Sequence, residues 1–68
     1  MRFTASVTRE GKLFVAQCLE VDIASQGETF DEAISNLREA MQLLYEDSAA
    51  PDVSPPIIAP FDVALAGA

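Results

Sequence analysis

Ser25-Gln26-Gly27-Glu28-Thr29-Phe30-Asp31-Glu32-Ala33 is the stretch whose reading decides the fold. It reads as the end of a strand, a one-glycine turn and the capped start of an amphipathic helix. Thr29 stands where an N-cap belongs, and Glu32 follows at the position that completes a capping box. In that motif the Thr29 hydroxyl accepts from the N–H of Glu32, and the Glu32 carboxylate reaches back to the N–H of Thr29. Fixing where the helix begins fixes how the preceding strands must lie against it.

Working toward the N-terminus, Phe3, Ala5 and Val7 alternate with Arg2, Thr4, Ser6 and Thr8, the period of a half-buried strand. A second apolar run, Leu13 to Cys18, follows Arg9-Glu10-Gly11-Lys12. A two-residue hairpin turn at Glu10-Gly11 predicts Arg9 opposite Lys12, with Val7 facing Phe14, Ala5 facing Ala16 and Phe3 facing Cys18. All six apolar side chains then share one face, and a slip by a single residue would scatter them. Leu13 and Val15 fall on the other face, toward solvent or a second subunit. Leu19 to Asp22 reads as a connection, and Ile23 to Gln26 as a short third strand.

Working toward the C-terminus, Phe30, Ala33, Ile34, Leu37, Ala40, Met41 and Leu44 form one helical stripe, which predicts a helix from about Phe30 to Glu46. All four prolines, Pro51, Pro55, Pro56 and Pro60, fall in the segment that follows. Each lacks a backbone donor and has a fixed φ, so residues 47–60 read as an extended connector. Phe61 to Leu65 alternates again and predicts a fourth strand. The expected class is α+β, in the order β-β-β-α-β: one mixed or antiparallel sheet with a single amphipathic helix on one face. The chain is one domain, with the hairpin, third strand and helix in 1–46, the connector in 47–60 and the fourth strand in 61–65.

A 68-residue chain buries only about 60% of the surface its unfolded form exposes. With one cysteine it has no intrachain disulfide to add stability, so association with a second copy is expected. Leu13, Val15, Phe61 and Val63 are the candidate residues of that oligomer interface.

Eleven acids against Arg2, Arg9, Lys12 and Arg38 leave a net charge of −7. Four scattered cations form no patch for phosphates, so direct nucleic-acid binding is not expected. A basic protein partner suits this field, and so does simple solubility. No secretory signal or membrane span is read, and the unpaired Cys18 suits a reducing, cytoplasmic setting.

No catalytic constellation is found. The chain has no histidine, and Cys18 has no neighbouring base or cation to activate it, so it reads as a buried structural cysteine. Asp31 and Glu32 are explained by the helix dipole. No cofactor or metal site is expected. Gly11, Gly27, Thr29 and Glu32 are read as structural. Glu46 and Asp47 resist so bland a reading, because anions are disfavoured at a helix C-terminus and no lysine or arginine follows Arg38. Two readings stand: the small cost is tolerated, or these acids join Glu39, with Glu20 and Asp22, in meeting a basic partner.

The hairpin Phe3 to Cys18, the Ser25-Gln26-Gly27-Glu28-Thr29 turn, Asp31-Glu32-Ala33 and Asn36-Leu37-Arg38-Glu39-Ala40 together resemble the N-terminal domain of the HicB family of type II antitoxins. Where members often carry a Cys-Pro-x-Leu-Pro-Gly type loop, this chain reads Cys18-Leu19-Glu20-Val21-Asp22. The resemblance implies a partial ribonuclease-H-like fold, with the fourth strand beside the first, and a non-enzymatic role. HicB-like antitoxins bind and mask HicA-like toxins, small basic ribonucleases that cleave mRNA. Longer members end in a DNA-binding module; here only the connector and one strand follow the helix. The alternative is an orphan HicB-like oligomeric binding or scaffold module without a toxin partner.

Overall fold

Gly11 sets the hairpin. The computed structural model describes residues 1–67, in which β1 (Ala5–Glu10) and β2 (Leu13–Cys18) pair antiparallel across Gly11-Lys12. Gly11 has φ 62° and, among the described residues, no non-glycine residue has a positive φ, so only the first central position of the turn is left-handed. That is the type II′ arrangement. The expected turn at Glu10-Gly11 would have placed a glutamate in this conformation, at a cost of about 1–2 kcal/mol. The register differs accordingly: Val7 pairs with Ala16 rather than Phe14, and Ala5 with Cys18 rather than Ala16. The displacement is an even number of residues, so every side chain keeps its expected face.

β3 (Ala24–Gly27) pairs antiparallel with β2, giving the sheet order β1-β2-β3. It begins one residue later than expected because Ile23 closes the preceding turn. The Ile23 carbonyl accepts from the N–H of Cys18 at 2.8 Å, and its own N–H donates to Val21 at 2.9 Å. The Gln17 side chain adds a bond to the same carbonyl at 3.3 Å.

α1 (Phe30–Leu44) starts at Thr29, whose hydroxyl accepts from the N–H of Glu32 at 3.1 Å. The return bond differs from the expected one: the Glu32 carboxylate accepts from Glu28, at 3.1 Å, and not from Thr29. The helix also ends sooner than expected, with Tyr45 as C-cap donating to the Met41 carbonyl at 3.1 Å. No base lies in its last turn, and the anions Glu46 and Asp47 oppose extending the helix dipole further.

The core lies between the sheet and α1. Ala16 and Ala33 are completely buried, joined by Cys18, Leu37 and Met41, with Phe3, Val7, Phe14, Ile23, Ile34 and Tyr45 packed around them. Two alanines at the centre let helix and sheet backbones approach closely, but among the described residues no large side chain is fully enclosed. The α+β class is as expected over β-β-β-α. The fourth strand is not formed: among the described residues, Phe61 to Leu65 adopts no regular structure. A strand needs a neighbour for its ladder bonds. Here the four prolines lead the segment away from the body, and Phe61 remains 85% exposed.

Candidate interaction surfaces

α1 packs chiefly on β3 and β2 and touches β1 least. The consequence is an open groove of about 750 Å³ between β1 and the helix, walled by Phe3, Ala5 and Val7 on one side and Ile34, Leu37 and Met41 on the other. Its lining is predominantly apolar, with Arg38 and Gln42 at the rim. The same residues read from sequence as core, and they are core on their inner sides. What the pattern could not show is that one helix covers two strands and leaves the third half bare. The groove was therefore missed; the surplus apolar width of the stripe, with Phe30 and Leu44 each over half exposed, was the available signal.

Glu20 is engaged within the chain. Both of its carboxylate oxygens accept from the Thr4 N–H, at 2.8 and 3.0 Å, and the Cys18 thiol donates to it at 3.6 Å. The neighbouring Leu19 N–H donates to the Thr4 carbonyl at 2.9 Å. Glu20 thus takes the place of a backbone acceptor at the start of β1, and this charge-assisted bond is of the stronger kind. The Thr4 N–H holds the Glu20 carboxyl below the ordinary glutamate range, against the opposing effect of desolvation. Thr4 is distant in sequence, and the local reading of residues 19–22 as a loop had no means of pairing the two.

The other expected partner acids are at the surface but on different elements. Asp22 lies exposed in the β2–β3 turn, Glu39 on the outer side of α1, and Glu46 and Asp47 just past its C-cap. Of the cations, Arg9 is occupied: its guanidinium lies over the Phe14 ring, 5.6 Å from the centroid, and its Nε donates to Gly11 at 3.4 Å. Arg38 stands at the groove rim, and no basic residue follows it.

Leu13 and Val15 are half-buried on the sheet face away from α1, whereas Phe61 and Val63 project from the tail. Among the structural residues, Gly11 provides the left-handed turn, and Thr29 and Glu32 cap the helix. Gly27 has a different reason from the expected turn. Its φ is not positive. A Cβ there would lie 2.6 Å from the Ala33 nitrogen, because the first turn of α1 rests on the glycine itself. Asn36 tightens the same contact by donating to the Gln26 carbonyl at 2.9 Å.

Among the described residues, no three His, Cys, Asp or Glu side chains converge as metal ligands would. Among the described residues, no helix is long and apolar enough to cross a membrane. Compared with known proteins, the chain matches no family model, no curated protein and no solved structure.

Proposed function

We propose that this chain is a non-enzymatic, HicB-like antitoxin that binds and masks a small basic HicA-like ribonuclease in the cytoplasm. The observation that carries the reading is the uncompensated anionic exterior. Asp22, Glu39, Glu46 and Asp47 are exposed, and no lysine or arginine lies beyond Arg38 to neutralise the helix C-terminal end. Anions at that end are disfavoured within the chain by about 0.3–1 kcal/mol each. A cationic partner removes the penalty on binding, and opposite fields speed encounter. The test is co-expression with an adjacent reading frame encoding a short, basic, histidine-bearing protein. Relief of growth arrest and co-purification are expected, and the Glu46→Lys/Asp47→Lys chain should bind more weakly. Unchanged affinity of that double variant refutes the assigned surface.

A second reading is an orphan binding or scaffold module, and the apolar groove favours it. The absence of any rescued toxicity, with the groove still occupied in the purified protein, would select it.

A further inference from the structure

Two features of the molecule are each incomplete and complement one another. The first is the outer edge of β1. The Leu19–Thr4 backbone bond and the antiparallel register direct the ladder groups of Thr4, Ser6, Thr8 and Glu10 toward β2. By the alternation of such ladders, the N–H and C=O groups of Ala5, Val7 and Arg9 point away from the sheet. The side chains of Ala5 and Val7 line the apolar groove. An added strand pairing with them would place every second side chain on the groove side.

The second feature is the tail. Phe61, Val63 and Leu65 alternate with Asp62 and Ala64, the pattern such a strand needs, yet the three are 85, 61 and 66% exposed. Ile57, just upstream, is 93% exposed. The radius of gyration is 14.7 Å, against about 11 Å for a compact chain of this length. The long axis reaches 51 Å, roughly twice the length of α1. Ala50 and Pro51 line the groove; from there residues 51–60, with four prolines, run as a stiff connector without regular structure to a tail whose apolar side chains stay exposed.

We infer that residues 61–65 of one copy add as a strand to the β1 edge of a second copy, with Phe61, Val63 and Leu65 filling the groove between β1 and α1. Reciprocal exchange closes a two-fold dimer. It pairs the exposed edge that otherwise templates uncontrolled aggregation, and it supplies the fourth strand in trans. A proline-stiffened linker reduces the ordering cost of the arm, since its extended state exists before docking. The inference does not depend on any toxin partner.

The experiment uses the purified full chain. Light scattering after size exclusion is expected to give the mass of two chains, falling to one chain in Phe61→Asp/Val63→Asp while far-ultraviolet circular dichroism is retained. Leu13→Asp, on the open sheet face, should remain dimeric. Two single-cysteine chains on a Cys18→Ser background, Val7→Cys and Val63→Cys, are then mixed under mild oxidation; a disulfide-linked pair of unlike chains is expected. A monomeric wild type overturns the inference, as does a dimer that survives Phe61→Asp/Val63→Asp but is broken by Leu13→Asp. So does a Val7→Cys/Val63→Cys double variant that closes only within one chain.

Discussion

Gly27→Ala adds one methyl group to the chain and is expected to destabilise it more than most surface changes. The new Cβ meets the Ala33 nitrogen at 2.6 Å and the Glu32 carbonyl carbon and Cβ at 2.9 Å. Ordinary contact begins near 3.4 Å, so the first turn of α1 must retreat by roughly 0.8 Å. A gap of that size forfeits a quarter to a half of each dispersion contact it opens. The contacts at risk are those of Ala33 and Ala16, both completely buried. Overpacking of this kind costs about 1–3 kcal/mol, and the stiffer unfolded chain returns about 0.4–1 kcal/mol. The net loss is about 1.3 kcal/mol, from a total of roughly 3–10 kcal/mol for a domain of this length. A melting temperature lower by about 5–10 °C follows. Thermal and urea unfolding followed at 222 nm measure it. Gly11→Ala serves as the comparison: no atom lies within 4 Å of its Cβ, so its cost is only the left-handed strain of about 1–2 kcal/mol. If Gly27→Ala unfolds at the wild-type temperature, α1 does not rest on Gly27 and the close-approach argument is wrong.

Thr29→Ala removes the hydroxyl that accepts from Glu32 and should cost about 1 kcal/mol, read as faster amide exchange in the first turn of α1 and a lower melting temperature. Glu20→Gln should flatten the acid limb of the stability curve. The Thr4 N–H lowers the folded-state value of Glu20, so its contribution is present above the ordinary glutamate value and lost as pH falls through the lowered one. Identical acid titrations of wild type and Glu20→Gln would remove Glu20 from this role. Leu37→Asp places an unpaired charge at a position only 5% exposed and should unfold the domain by circular dichroism; a folded variant would contradict the packing of α1 on the sheet.

The capped helix, the hairpin and the division of side chains between two faces were legible in the sequence because each is set locally. Thr29 and Glu32 act within one turn, and the alternation of Phe3, Ala5 and Val7 is a property of neighbouring residues. Glu20 and Gly27 were legible only as residue types. The carboxylate's partner, Thr4, is brought to it by the hairpin, and the glycine's constraint comes from a helix whose distance from the sheet is set by Ala16 and Ala33. The fourth strand read from Phe61 to Leu65 is not formed, because alternation of side chains is local while a strand also needs a neighbour for its ladder bonds.

By itself the amino-acid order determined which residues turn inward and where the helix begins, since a strand's two-residue alternation survives any even displacement of register and a helix's 3.6-residue stripe needs no partner to define it. Tertiary structure alone decided the pairing of Val7 with Ala16, the capture of Thr4 by Glu20 and the bare flank of β1. Each of these depends on how far one element sits from another, and that distance is a sum of packing contacts that no local stretch contains.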